Sequence, residues 1–150
     1  MQTFLPVADF RNSARILDWR RLGKQRVEAW MIHDILTNPE SRWMSWRHHP
    51  VIPMWRGYED ALSLYFWSMV DEWRRRGYRS TIELPHPEGK VLLPPWLGDE
   101  RLHASHRSNL LRKEPGWYGA FGWTEQPDLP YWWPGAAYAR SRSDLVDRMP

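Results

Sequence analysis

The sequence predicts an all-α fold, and three observations support this prediction. Four segments carry apolar residues at helical spacings of three and four, no segment alternates like a half-buried strand, and helix-capping residues stand at several segment ends. A chain of 150 residues has the size of one domain with one core. We therefore expect a compact single-domain helical bundle over residues 1–135, with long loops and an aromatic, proline-rich C-terminal segment, and then an Arg/Ser-rich tail over residues 136–150.

The first two predicted helices lie near the N-terminus. One runs from about residue 9 to residue 17, with Asp9 as its N-cap. The other covers about residues 20–36 and ends at Asn38-Pro39, a stop signal.

The third predicted helix has the clearest pattern. It begins near Pro53 and ends at Arg76-Gly77, where positive charge and a glycine are typical of a helix C-terminus. Its apolar residues follow at spacings of three and four: Trp55, Tyr58, Leu62, Tyr65, Met69 and Trp73. The fourth helix begins after the N-cap Asp99 and continues to about Lys113. A proline-rich loop over residues 78–98 joins these two helices, and a loop of that length is often functional.

Composition favours a nucleic-acid partner. The chain has 12 tryptophans, and of its 21 basic residues only three are lysine while 18 are arginine. Arginine grips phosphate with a planar fork and stacks on rings, as tryptophan stacks on bases. An arginine-rich source genome would explain the same bias without any such function.

Other features limit the class of protein. There is no cysteine, which excludes disulfides and thiolate metal sites. No signal peptide and no membrane-spanning stretch is visible, so we expect a cytoplasmic protein. His48-His49 and the pair His103 and His106 lack a carboxylate at a recognised ligand spacing, so we expect neither a metal nor another cofactor.

Four sequence blocks carry a family resemblance. The first runs Asp18-Trp19-Arg20-Arg21-Leu22-Gly23-Lys24-Gln25-Arg26-Val27-Glu28-Ala29. Three more agree in order and spacing: His49-Pro50 with Trp55 and Tyr58 ahead of Arg76-Gly77, then Leu102-His103 through Lys113, and finally Pro115-Gly116-Trp117-Tyr118 with Phe121-Gly122. Together they resemble the pyrimidine-dimer DNA glycosylases, whose founding members are phage endonucleases.

The resemblance implies a helical enzyme that kinks double-stranded DNA and extrudes a damaged or modified nucleotide. It also implies an amine nucleophile, a catalytic glutamate and arginines that grip phosphates. The function that it implies is therefore a DNA glycosylase in base-excision repair, to which an AP-lyase activity could be added; no obligate protein partner is inferred.

The sequence departs from the phage enzymes at two positions. Those enzymes attack with the amine of a small threonine exposed by methionine removal, whereas Gln2 is bulky enough to retain Met1 here. The phage glutamate follows an arginine and precedes a leucine, but this chain reads Arg20-Arg21-Leu22 at that place. Glu28, further along the same helix, is the nearest candidate.

The candidate catalytic residues are therefore Glu28, Lys24 and the amine of Met1. Lys24 and Glu28 are four residues apart and share a helix face, on which a carboxylate could stabilise a positively charged sugar and an amine could attack it. The same spacing also fits a surface ion pair that only stabilises the helix.

The candidate DNA contacts are arginines, histidines, a lysine and two aromatic residues. They are Arg20, Arg21, Arg26, His49, His103, His106, Arg107, Lys113, Trp117 and Tyr118. For the histidines, a structural hydrogen bond to a backbone carbonyl is the alternative. Two other functions stay open: a nucleic-acid-binding module without catalysis, and an enzyme that acts on free nucleosides or nucleotides, which the modest net charge of +3 would suit.

Overall fold

Helices provide the regular structure of the computed structural model, which describes residues 1–135 and residue 138. In chain order the α-helices are α1 (Phe10–Ile16), α2 (Trp19–Thr37), α3 (Val51–Trp55), α4 (Glu59–Arg75), α5 (Glu100–Lys113) and α6 (Pro115–Tyr118). Two short 3-10 turns cover Met44–Trp46 and Gly119–Phe121, and the described residues contain no strand. The predicted all-α fold is confirmed.

Two of the predicted helix starts are capped as expected. The side chain of Asp9 accepts a hydrogen bond from the Asn12 amide (2.8 Å), and that of Asp99 accepts one from the Arg101 amide (3.0 Å). These bonds satisfy amide groups that have no partner within the first turn of a helix.

The prediction of one continuous third helix is wrong, because the helical conformation is interrupted after Trp55. Arg56 is extended and Gly57 has a φ of +88°, so α3 and α4 are separate helices. A left-handed residue cannot continue a right-handed helix, and glycine adopts that conformation at least cost. The predicted apolar spacing still holds across the break, since Tyr58 and Leu62 are both buried.

The core forms where α2 packs against α4, the most extensive contact between helices. Buried residues of α2 (Leu22, Ala29 and Ile32) face buried residues of α4 (Tyr65, Phe66 and Met69 among them). Gly23 permits this close approach, because a Cβ atom there would lie only 2.8 Å from the Trp73 ring.

Loops complete the fold on both sides of α5. In the loop over residues 76–99, Trp96 is buried and its Nε1 donates to the Met54 carbonyl (2.8 Å). After α6, the C-terminal segment returns along α5, where Ser108 Oγ accepts from the Leu129 amide (3.0 Å) and Ser105 Oγ accepts from the Trp132 amide (3.1 Å).

The predicted tail over residues 136–150 lies outside the described residues apart from Tyr138. None of the described helices combines the length and apolarity needed to cross a membrane.

Candidate active site

Side chains of the core form hydrogen bonds to the N-terminal segment, residues 1–5, and hold it in place. The Phe4 amide donates to Gln25 Oε1 (2.6 Å), and the Tyr65 hydroxyl lies 2.9 Å from the Phe4 carbonyl oxygen. Trp55 Nε1 donates to Thr3 Oγ1 (3.0 Å). Buried backbone groups need such partners. The first residues of the chain are therefore fixed against α2 and α4.

Two buried histidines hold the next peptide of this segment. His103 Nδ1 donates to the Leu5 carbonyl (2.7 Å), and its Nε2 accepts from the Gly98 amide (3.0 Å). His106 Nδ1 accepts from the Leu5 amide (2.9 Å). Both histidines were predicted as DNA contacts with a structural role as the alternative, and burial with backbone partners favours that alternative.

Glu28 meets the N-terminal segment at its second residue. Its Oε2 accepts from the Gln2 amide (2.9 Å) and from Gln25 Nε2 (3.1 Å). Gln25 and Glu28 are three residues apart on α2, so they project from the same face. Only 9% of the Glu28 side chain is exposed. The carboxylate is therefore placed one residue from the start of the chain.

The three predicted catalytic residues line one open cleft of about 340 Å³, which we call the Glu28 cleft. Lys24 Nζ lies 3.8 Å from Glu28 Oε1, although 72% of the lysine side chain is exposed. The residues that line the cleft are Met1, Gln2, Phe4, Arg20, Arg21, Lys24, Gln25, Glu28, Lys113 and Tyr131.

Positive charge surrounds the Glu28 carboxylate, and the other described residues that line this cleft carry no carboxylate. Burial lowers the pKa of Lys113, the charges of Arg21, Arg112 and Lys24 lower it further, and the negative charge of Glu28 opposes them. An electropositive cleft attracts phosphate groups and steers an anionic polymer toward it.

Ion pairs fix the orientation of Arg21 at the cleft wall. Its Nη1 lies 3.4 Å from Asp18 Oδ2 and 3.2 Å from Glu114 Oε2. Asp18 also accepts a hydrogen bond from the hydroxyl of Tyr118, which is fully buried. Tyr118, predicted as a DNA contact, therefore packs in the core, whereas its neighbour Trp117 is exposed.

His49 lies near the amine of Met1. Burial lowers the pKa of His49, and the positive charge of the N-terminus lowers it further. Its Nδ1 accepts from the Val51 amide (3.1 Å), and its ring meets the Trp133 ring edge to face. His49 is not among the residues that line the Glu28 cleft, and its role in binding DNA stays a prediction.

Two predicted arginines lie outside the cleft. Arg26 donates to Ser80 Oγ (3.0 Å) and lies over the Trp73 ring, and burial lowers its pKa. Arg107 pairs with Glu100 and with Glu125. Both make contacts within the protein, and their role in binding DNA stays a prediction.

Sequence reasoning missed several residues of the cleft. The spacing of three between Gln25 and Glu28 was available as a signal, because it places both on one face of a helix. Gln2 and Tyr131 carried no such signal, since only the fold brings them to Glu28.

Within residues 1–135 and 138 there is no group of three histidines, aspartates or glutamates that could hold a metal ion.

A model of the pyrimidine dimer DNA glycosylase family matches residues 1–86, more than half of the 150 residues. The matched region contains Met1, Lys24, Glu28 and His49, while Lys113 and Trp117 lie beyond it. No curated protein and no solved structure matches the chain. From the family match we conclude that this chain belongs to the pyrimidine dimer DNA glycosylase family.

Proposed function

We propose that this protein extrudes a damaged or modified nucleotide from duplex DNA into the Glu28 cleft, releases its base and then nicks the strand. The observation that carries the proposal is the hydrogen bond of 2.9 Å from the Gln2 amide to the Glu28 carboxylate. This bond sets the start of the chain beside the buried acid. An amine and a carboxylate on one cleft are the groups that a glycosylase with lyase activity needs.

Met1 is our candidate nucleophile, ahead of Lys24. We expect the bulk of Gln2 to hinder removal of Met1, and residue 1 lines the cleft. Lys24 lies farther into solvent, with 72% of its side chain exposed. A nucleophile works best where water is excluded and its geometry is fixed. The Met1 amine, at the end of a segment fixed by hydrogen bonds, meets that condition better than the long, exposed side chain of Lys24.

The proposed reaction begins at C1′ of the extruded nucleotide. The Met1 nitrogen bonds to C1′ of the extruded nucleotide, the C1′–base bond breaks, and the base leaves with the electron pair and takes up a proton. Glu28 stabilises the positive charge that develops on the sugar and accepts the proton lost by the amine. Ring opening, with proton uptake at O4′, gives an imine. Proton loss from C2′ expels the 3′ phosphate, and water then hydrolyses the imine to restore the amine.

The cations of the cleft would bind the phosphates on either side of the extruded nucleotide. Arg20, Arg21, Lys24 and Lys113 all line the cleft. Arginine binds phosphate with two parallel hydrogen bonds, while lysine acts as a point charge. Such contacts hold the DNA in register but do not identify the damaged base.

The test compares wild type with Glu28→Gln on duplexes that carry a pyrimidine dimer, an alkylated base, a deaminated base or a hypermodified base. We expect wild type to release at least one of these bases and Glu28→Gln to lose about 100-fold or more of the rate. Glutamine keeps an acceptor for the Gln2 amide, so thermal melting should show a folded variant.

Glu40→Gln is the matched control, because Glu40 is exposed and lies outside the cleft. It should release base as wild type does. Absence of base release by wild type from every duplex would refute the proposal, and so would full activity in Glu28→Gln.

A further inference from the structure

A second cleft adjoins the Glu28 cleft at Arg20, which lines both. It also measures about 340 Å³, and we call it the tryptophan cleft. Its lining residues are Asp18, Trp19, Arg20, Glu114, Gly116 and Trp117. The base-release chemistry above uses neither of its two tryptophans.

Both tryptophans of this cleft are exposed although they are large and apolar. Trp19 is 53% exposed and Trp117 is 44% exposed. Trp117 is nevertheless held in place, because its Nε1 donates to the Ile16 carbonyl (2.8 Å). The guanidinium of Arg20 lies 5.3 Å from the centre of the Trp19 ring. Trp117 is therefore a fixed ring, and both rings offer exposed stacking surface to a planar ligand.

Charge distinguishes this cleft from the neighbouring one. Carboxylates of Asp18 and Glu114 line it, and both lie within ion-pair distance of Arg21. Asp18 also accepts a hydrogen bond from the Tyr118 hydroxyl. Glu114 is more accessible to a ligand, because 41% of its side chain is exposed. Carboxylates repel phosphate and accept hydrogen bonds from amino groups. The tryptophan cleft therefore suits a nucleobase better than a stretch of phosphate backbone.

We propose that Trp19 and Trp117 form a stacking subsite for a second, unpaired nucleobase of the DNA whose damaged nucleotide enters the Glu28 cleft. This inference rests on the proposed function for its DNA partner. Glu114 accepts a hydrogen bond from an N–H donor of that base, such as the exocyclic amino group of adenine, guanine or cytosine. Arg20, shared by the two clefts, binds the phosphate that links the two nucleotides.

The test uses oligonucleotides that contain 2-aminopurine, a fluorescent base with an exocyclic amino group that is quenched when it stacks. Wild type should quench it on binding. Trp19→Ala and Trp117→Ala should each weaken binding by about 5- to 150-fold, the range expected for the loss of one stacked base, and should restore fluorescence. Trp19→Phe should keep most of the quenching, because it retains a ring.

Tyr78→Ala is the control, since Tyr78 is also an exposed aromatic residue but lies outside both clefts. It should bind and quench like wild type. Unchanged binding and quenching in both tryptophan variants would overturn the subsite, even if wild type releases a damaged base. Quenching that depends on Trp19 without base release from any duplex would overturn the proposed function and leave the subsite standing. Failure of wild type to bind DNA would overturn both.

Discussion

The peptide of Leu5 shows how single residues position the site. Its carbonyl and its amide are bound by His103 and His106, at 2.7 and 2.9 Å. The bond to the Leu5 amide needs a His106 ring whose Nδ1 carries no proton, whereas the His103 Nδ1 that donates to the Leu5 carbonyl must carry one. Because Leu5 is close in sequence to Met1, these two histidines help to fix the terminal amine. They act on the site without lining the Glu28 cleft.

Stability should therefore depend on pH through His106. Burial lowers the pKa of His106 to about 3, whereas an unfolded histidine titrates near about 6.5. Between these values the unfolded chain binds a proton that the folded chain does not, so the free energy of unfolding falls as pH falls. Lowering the pH from about 7.5 to about 5 should cost about 2 kcal/mol at this residue.

His106→Asn tests this dependence, because Asn Oδ1 can accept from the Leu5 amide and does not titrate. Urea unfolding of both proteins at the two pH values should show that the free energy of unfolding falls less in the variant than in wild type. An equal fall in both proteins would mean that His106 does not cause the pH dependence.

Single residues also show the limit of sequence reasoning. Glu28 could be chosen from the sequence because its place in a motif and on a helix face are both local properties. Tyr118 was predicted as a DNA contact because it is an aromatic residue that could stack on a base, yet of the neighbours Trp117 and Tyr118 only Trp117 is exposed. Neighbours in a short helix point in different directions, and which one faces the core depends on packing.

At the level of elements, the break between α3 and α4 has a local cause. Apolar spacing reports which side chains are buried, and it does not report whether the backbone is continuous. Gly57 adopts a φ of +88° with no heavy atom within 4 Å of the position that a Cβ would take. Its backbone conformation, and not crowding, therefore determines what a substitution would cost.

Gly57→Ala should lower the free energy of unfolding by about 1–2 kcal/mol, the cost of a left-handed conformation for an L-residue. The control is Gly119→Ala, because Gly119 has a φ of −62° and also has open space around it. That variant should stay within about 0.5 kcal/mol of wild type in urea unfolding. A neutral Gly57→Ala would show that the turn can relax into another conformation.

Most helix positions could be predicted from the sequence, but the contact between α2 and α4 could not. Caps and apolar spacing are local signals, and α1, α2 and α5 lie within a few residues of their predicted bounds. The closeness of α2 and α4 depends on Gly23 facing the Trp73 ring. Nothing in a helical pattern tells which partner a glycine will face.

For the molecule as a whole, the Glu28 cleft is a product of tertiary structure. It joins the start of the chain, one face of α2, the end of α5 and Tyr131 in the C-terminal segment. The family match ends at residue 86, so the walls contributed by Lys113 and Tyr131 come from the region beyond it.

We propose that the Met1 amine and Glu28 act together in this cleft. Borohydride reduces an imine to a stable amine, so it should link wild type covalently to a damaged duplex on which the protein is active. Peptide mass spectrometry of the trapped protein should locate the DNA remnant on the α-amine of Met1, and Glu28→Gln should trap far less. A remnant on Lys24 or Lys113, or base release without any trapped protein, would contradict the claim.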